Sequence, residues 1–383
     1  MTAKPAAIGL LAAVLAASFQ FATVQANRGG HWTALYYTGG SLRIPPALAY
    51  ERIYTFAGST GYDGQFYHYM AHDPMLRRGF KEYIDEPRLR CRRILVPALA
   101  WVLAAGQDRW IDPAFFATSW ACFFLGASWL ARFAILQGLP AAWGLAFLAV
   151  PAALISIDRV TVDLALLALG CGFALYAATG EIWKLCLLLG LAPLARDTGF
   201  LLLGGYFLAM LLRRQWKRAG LILAAAAPAL GWWLYVQLRT PAYPLDTLRG
   251  AAGTDLLVRL LRPAPYHLPP LVAWTAVALD YLSLAGTLAA VVLGAWLFTR
   301  RTSGATELAG LAFAALPVAL GGIVGWYEPF GYPRVLSPLF LFLGLLALAR
   351  RSWLPALPLA MVLPRIAMQM APQTLEIMKW LVP

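Results

Sequence analysis

The sequence predicts an all-α protein, a polytopic bundle of about ten to twelve transmembrane helices. Of its 383 residues, 61% are hydrophobic and only 13% are charged, whereas a soluble domain carries roughly 25% charged residues. Outside positions 27–93 and 239–270, nearly every stretch of about 20 residues is apolar enough to cross a bilayer. Because lipid offers no partner for backbone N–H and C=O groups, these stretches must be helices. We expect residues 1–383 to form one transmembrane domain.

The net charge of +13 comes mainly from basic clusters at the ends of apolar runs. Such clusters orient a membrane protein and contact anionic headgroups, so membrane lipids are the expected surroundings. Nucleic-acid binding is disfavoured, because no basic face is interleaved with exposed aromatic residues as single-strand binding requires. The four cysteines form no C-x-x-C pair and are interpreted mainly as small buried hydrophobes.

Transmembrane spans are predicted wherever an apolar run approaches bilayer length. The first run, 5–26, is either a retained helix or a cleaved signal peptide, and its length favours a retained helix. The run 94–106 is short and contains proline, so we place it at the membrane surface. The other predicted spans are 113–136, 139–157, 160–178, 181–195, 199–212, 219–238, 271–298, 307–326 and 335–349, with the tail from 353 as one more candidate.

Basic residues also predict the orientation. Clusters at Lys4, Arg213, Arg300 and Arg350 mark the cytoplasmic side, which puts the segment 27–112 outside as a long loop with juxtamembrane helices. Three later breaks between helices then lie on the same outer side. Ionisable residues cost several kcal/mol at membrane depth and are functional candidates, with helix-end capping and mutual pairing as the alternative. The candidates at these breaks are Asp158, Arg159, Asp163, Arg196, Asp197, Glu328 and Arg334.

The first loop contains an early acidic residue, Asp63, at the predicted start of a helix. A carboxylate there can simply cap free N–H groups. It can also act as a general base for an acceptor hydroxyl, or bind a divalent cation such as Mg²⁺ or Mn²⁺. Arg92 and Arg93 follow in a basic run that can bind a phosphate or plain lipid headgroups.

Two histidines in this loop, His68 and His72, stand four residues apart and can share one helix face. This spacing is half of a zinc motif, but the glutamate of H-E-x-x-H is absent. Packing among interfacial aromatic residues is therefore the favoured interpretation. We keep Tyr62, Gln65 and His68 as candidates for the wall of a cavity around Asp63.

Three local patterns resemble the GT-C superfamily of membrane glycosyltransferases. The first is the stretch Tyr62-Asp63-Gly64-Gln65-Phe66-Tyr67 in a long loop after the first helix. The second is an arginine followed four residues later by an aspartate, Arg159 and Asp163, after a proline-containing helix. The third is the break Ala195-Arg196-Asp197-Thr198-Gly199. The resemblance covers roughly residues 1–215 and extends to uncharacterised bacterial members. It departs at Cys91 and Val96, where an aromatic residue is expected.

The resemblance implies a polyprenyl-phosphate-linked sugar as donor and an active site facing the periplasm or cell exterior from a bacterial inner membrane. It also implies that Asp63 activates the acceptor or helps to bind a divalent cation. Asp163 would lie near the same cavity. Arginines would hold the carrier phosphate, and the candidates are Arg92, Arg93, Arg159, Arg196 and Arg334.

Two other functions remain open. A lipid or glycolipid transporter would have charged residues deep in several helices and inverted repeats, and neither is evident in the sequence. An O-antigen ligase or polymerase type of enzyme would use a pyrophosphate-linked donor and often lacks a catalytic carboxylate. A requirement for Asp63 would argue against this last class.

Overall fold

A computed structural model describes residues 4–241, 254–300, 304–319, 325–326 and 328–382. Within these ranges the chain is predominantly helical and has several apolar helices, which confirms an all-α protein of membrane character. The predicted grouping of all 383 residues into one domain stays a prediction.

The described residues contain seventeen α-helices. They are α1 (Pro5–Arg28), α2 (Asp63–His72), α3 (Pro87–Arg90), α4 (Leu95–Leu103), α5 (Ile111–Leu136), α6 (Pro151–Asp158), α7 (Asp163–Thr179), α8 (Ile182–Ala195), α9 (Phe200–Leu212), α10 (Trp216–Ala225), α11 (Ala227–Arg239), α12 (Thr254–Leu261), α13 (Pro270–Thr299), α14 (Ala305–Ala319), α15 (Gly331–Val335), α16 (Ser337–Arg350) and α17 (Leu357–Leu381). The predicted span 307–326 ends partly outside the described residues.

Fewer helices than expected reach bilayer length. Five helical segments of the described chain are long and apolar enough to cross a membrane: Pro5–Arg28, Asp108–Leu136, Trp216–Arg239, Pro270–Thr299 and Leu354–Leu381. A sixth is possible if one bent pair counts as a single span. The other apolar helices have 10 to 17 residues, and a helix rises only about 1.5 Å per residue. The predicted total of about ten crossings therefore stays a prediction.

The predicted span 139–157 is broken in the middle. A 3₁₀ helix covers Ala141–Ala149 and turns by 66° into α6. Val150 between them is extended, with φ −71° and ψ 134°. Pro151 causes this break, because proline disfavours the helical conformation of the preceding residue.

Part of the core of the bundle lies where α7, α14 and α16 meet. Phe173 of α7 and Phe313 of α14 both pack against Phe342 of α16, with ring centroids 6.1 and 5.8 Å apart. All three side chains are buried. This close packing of aromatic side chains holds α7, α14 and α16 firmly against one another. The polar residues at the ends of these helices are therefore held in place.

The first loop is a folded layer and contains α2, α3 and α4. Two parallel strands of two residues each, Thr38–Gly39 and Thr55–Phe56, pair within it. The next long helical segment starts at Asp108, so the loop is slightly shorter than the predicted 27–112. Trp232 of α11 donates a hydrogen bond of 2.8 Å to the carbonyl of Cys91, which joins the loop to the bundle.

Gly64 brings the start of α2 close to the rest of the molecule. A Cβ atom there would lie 2.6 Å from the carbonyl oxygen of Val160 and 2.8 Å from that of Tyr36. Only glycine allows this close approach. The glycine after Asp63 therefore places this carboxylate beside the break between α6 and α7.

Candidate functional site

Asp63 lies between two arginines from distant parts of the chain. Nη1 of Arg90, at the end of α3, donates to its Oδ1 atom across 2.9 Å. Nη2 of Arg334, in α15, lies 2.7 Å from its Oδ2 atom. The ring of Phe66 packs under the Arg90 guanidinium at 4.4 Å. Both carboxylate oxygens of Asp63 are thus paired with a cation.

This pairing determines the ionisation of Asp63. Burial alone would raise its pKa, but Arg334 and Arg90 outweigh burial and hold the pKa well below its usual range. The N-cap position of α2 is Tyr62, and the Asp63 carboxylate pairs with Arg90 and Arg334, so it does not serve as an N-cap. Because guanidinium groups occupy both oxygens, the surroundings of Asp63 do not fit the divalent cation expected there.

Asp163 continues the network at the first residue of α7. One of its oxygens pairs with Nη1 of Arg196, which precedes a 3₁₀ turn at Asp197–Gly199. The other lies 3.8 Å from Nε of Arg334, which is an ion pair but too long for a hydrogen bond. Arg334 therefore stands between Asp63 and Asp163. All three side chains are at least four-fifths buried.

Arg93 links the same region to the break between α8 and α9. Its Nε atom donates to Oδ2 of Asp197 across 3.0 Å. Its Nη1 atom donates to the hydroxyl of Tyr67 across 3.2 Å. Burial opposes the charge of Arg93, but Tyr67 and Asp197 outweigh it and raise its pKa. The cation stays charged at any physiological pH.

Three guanidinium nitrogens in this network have no acceptor among the described residues. They are Nε and Nη1 of Arg334 and Nε of Arg196, and all are buried. An unsatisfied buried donor on a charged group costs several kcal/mol. An anionic ligand would therefore bind most favourably where it accepts hydrogen bonds from these atoms.

Arg159 stands on the other side of Tyr62. It pairs with the neighbouring Asp158 through two hydrogen bonds of 2.8 and 2.9 Å. Its guanidinium lies 4.9 Å from the centre of the Tyr62 ring, and that of Arg334 lies 4.8 Å from the same ring. A small cavity borders Tyr62, Asp158 and Arg159 and continues to Met370 of α17. The Tyr62 ring thus lies between Arg159 and Arg334.

Several predicted residues lie elsewhere. Arg92 points away from Asp63, because its guanidinium stacks on Trp233 at 4.6 Å. Gln65 braces the first loop, accepting from the backbone N–H of Gly39 and donating to the carbonyl of Thr60. Glu328 is exposed, and the alternative in which it pairs with Arg334 is wrong, because Arg334 turns to the two aspartates instead.

His68 also belongs to a different group. It lies 2.9 Å from Asp112 and 3.3 Å from Glu51, and it stacks on Tyr36. Burial opposes a charge on this ring, but Asp112 and Glu51 raise the pKa of His68 to about 9. Two carboxylates in a buried position attract positive charge. His68 therefore does not face the cavity at Asp63.

Sequence reasoning did not single out Arg90 or Tyr67. Arg90 stands in the same basic run as Arg92 and Arg93. Which of these arginines faces Asp63 depends on the direction of α3, a helix of only four residues that ends at Arg90. Tyr67 lies four residues after Asp63, and this i, i+4 spacing places both on one side of α2. Tyr67 could have been predicted as a site residue from this spacing.

A second buried ion cluster lies among the C-terminal helices. Asp280 of α13 pairs with Arg259 of α12 and Arg365 of α17. The hydroxyl of Tyr266 donates to the same carboxylate across 2.6 Å. The three charged side chains are at most 6% exposed. This cluster fastens three helices together.

Comparison with protein-family models, with functionally curated proteins and with solved structures finds no match for this chain.

Proposed function

We propose that this protein is a membrane glycosyltransferase that moves a sugar from a polyprenyl-phosphate carrier to a hydroxyl acceptor. The proposal also places it in a bacterial inner membrane with the site facing outward. The observation that carries it is the position of Asp63, a carboxylate bonded to Arg90 and Arg334 beside buried guanidinium atoms that lack an acceptor. Sugar transfer requires one group to take a proton and positive charge to hold a phosphate.

The proposed reaction starts with an exchange of partners. The donor phosphate binds the free N–H groups of Arg334 and Arg196 and draws Arg334 away from Asp63. Asp63 is a weak base while both arginines hold it, since they keep its pKa low. Loss of one arginine raises its basicity at the moment the donor is present. Donor binding therefore switches on the base.

The chemical step moves the sugar from the phosphate oxygen to the acceptor oxygen. The acceptor oxygen attacks the anomeric carbon, the hydroxyl proton passes to Asp63, and the bond from that carbon to the phosphate oxygen breaks. The polyprenyl phosphate leaves with its negative charge held by arginines. Asp163 keeps Arg196 and Arg334 in position, so it acts as a positioning residue. No divalent cation is needed for these roles.

One observation favours a second candidate. Both oxygens of Asp63 are already paired, and in this second candidate the carboxylate serves only to hold the arginines. The site would then be an arginine-based phosphate site of the O-antigen ligase type, which uses a pyrophosphate-linked donor. The two candidates differ in the donor they consume.

The test is donor consumption by purified protein in liposomes. Matched panels of polyprenyl-phosphate and polyprenyl-pyrophosphate sugars are supplied with a lipid, glycan or peptide acceptor, and the released carrier is measured. We expect release of a polyprenyl monophosphate from a monophosphate donor. Release from pyrophosphate donors alone would establish the ligase type, and consumption of neither panel by folded protein would count against both.

A further inference from the structure

Four side chains of the first loop and α5 form a compact group apart from Asp63. They are Glu51, His68, His72 and Asp112, and one ligand atom from each lies within 4.8 Å of all the others. Both histidines are fully buried, and the side chain of Glu51 is only 9% exposed. Residues of this kind gathered inside a protein are the ligand set of a transition metal.

The group lies on the opposite side of α2 from the proposed active site. His68 and His72 follow Asp63 by five and nine residues, which at 3.6 residues per turn turns them about 140° and 180° away. Glu51 ends the 3₁₀ helix Pro46–Glu51, and Asp112 lies in the first turn of α5. The group therefore joins three separate elements.

Its dimensions suit a tetrahedral metal. Ligand atoms at about 2.0–2.1 Å from a zinc ion are about 3.3–3.4 Å from each other. Here the Nε2 atoms of His68 and His72 are 3.2 Å apart, and the histidine-to-carboxylate distances are 2.9, 3.2 and 3.3 Å. A shift of a few tenths of an ångström would make room for the ion.

The hydrogen bonds outside the group orient its ligands. Nδ1 of His72 lies 3.0 Å from Oδ1 of Asp108, and Arg78 holds that carboxylate through two bonds of 2.8 Å. An ionised carboxylate only accepts, so Nδ1 carries the proton and Nε2 of the neutral ring presents a lone pair. That lone pair faces Oε1 of Glu51 at 3.2 Å. Two acceptors that face each other at this distance can be bridged by a cation.

Two further contacts agree with this interpretation. Oε2 of Glu51 is buried and accepts no hydrogen bond among the described residues. The hydroxyl of Tyr36 donates to Oδ1 of Asp112 across 2.9 Å, as expected for an oriented metal-binding carboxylate. Two carboxylates and two neutral imidazoles would also make a Zn²⁺ complex of zero net charge, which is favourable in a buried place.

We propose that Glu51, His68, His72 and Asp112 bind one structural Zn²⁺ that fastens the first loop to the start of α5. Four protein ligands leave no open position, as in structural zinc sites. Two imidazoles in the set disfavour Mg²⁺ and Ca²⁺, which prefer oxygen ligands. The ion has no part in sugar transfer and acts on it only by holding α2 in place.

The test is the zinc content of full-length, tag-free protein purified in detergent. Protein is incubated with excess ZnCl₂, separated from unbound metal by gel filtration and analysed by mass spectrometry for metals. We expect about one zinc per chain for wild type and for His267→Gln, which changes an exposed histidine outside the group. We expect almost none for His72→Gln and for Asp112→Asn.

Thermal unfolding provides the second measurement. Zinc should raise the Tm of wild type and His267→Gln, a chelator should reverse the rise, and neither should move the Tm of the two ligand variants. Folded wild type that retains no zinc would overturn the proposal whether or not the variants fold. Equal zinc in wild type and His72→Gln would also overturn it, since the ion would then be adventitious. Neither result depends on glycosyltransferase activity.

Discussion

Nη2 of Arg334 lies 2.7 Å from Oδ2 of Asp63, and this contact joins the start of α2 in the first loop to α15 near the C-terminal helices. The same arginine reaches Asp163 of α7 through its Nε atom. Three segments far apart in sequence therefore depend on one guanidinium group. Its Nη1 and Nε atoms donate no hydrogen bond to a described residue, so they are available to an anion.

Replacement of Arg334 by glutamine should weaken donor binding. Hydrogen bonds to charged groups contribute about 1.5–3 kcal/mol, so we expect kcat/KM for the donor to fall roughly 10- to 150-fold. Arg334→Lys should recover only part of this, because an ammonium cannot reproduce the planar fork. The control is Arg43→Gln, an exposed arginine of the first loop. Unchanged donor kinetics in Arg334→Gln would remove this residue from the phosphate site.

The pair of Asp163 and Arg196 should show strong coupling in stability. Asp163→Asn leaves a buried arginine without its partner, and breaking such a pair costs about 3–5 kcal/mol. The double variant with Arg196→Gln should cost less than the sum of the single changes, by about 0.5–3 kcal/mol. Urea unfolding in detergent micelles measures all four proteins. Costs that simply add would contradict the contact.

The pH dependence of kcat/KM should show no ionisation of Asp63 between pH 5 and 8. Its pKa is depressed in the folded protein, so its stabilising effect is complete above the unfolded value of about 3.9 and is lost only as pH falls through the lower folded value. Because kcat/KM reports the free enzyme, the acid limb should not depend on this residue. An acid limb near pH 6 that disappears from the residual activity of Asp63→Asn would show that the pairing is absent in solution.

Asp280 should be needed for the C-terminal helices rather than for the reaction. Asp280→Asn leaves Arg259 and Arg365 buried beside a neutral amide, and we expect a loss of about 3–5 kcal/mol of unfolding free energy. The matched control is Glu376→Gln, an exposed acid of α17 paired with Lys379. A difference between the two variants of less than about 1 kcal/mol, the value of a surface pair, would contradict this assignment.

Much of the fold is predictable from the sequence, because apolar runs and prolines determine local structure independently of the rest of the chain. Apolar runs predict most of the helices, and Pro151 explains the broken span at 141–158, which length alone could not reveal. The number of crossings is harder to predict, because helices such as α8 and α9 are too short to decide by length. Whether such a helix spans depends on its packing, which composition does not contain.

The candidate site is predictable to a similar extent. Asp163, Arg196 and Arg334 were identified because charged residues are rare between apolar runs, and Asp63 because it starts a predicted helix in the first loop; the structure brings all four into one network. The sequence does not show which arginine of the basic run contacts Asp63, since Arg90 and Arg92 differ only in the direction of their side chains. The proposed zinc site was not predicted from His68 and His72, because Glu51 and Asp112 are separated from this histidine pair along the chain and approach it only in the folded protein.

The measurement that tests the central claim most directly is sugar transfer by Asp63→Asn in liposomes with the donor that wild type uses. The isosteric amide keeps the shape but cannot take the proton, and loss of a general base slows reactions about 10²- to 10⁴-fold. We predict a loss of kcat in that range for folded Asp63→Asn, with Glu376→Gln at the wild-type rate. Transfer at the wild-type rate by Asp63→Asn would contradict the account, since the carboxylate would then only hold its two arginines.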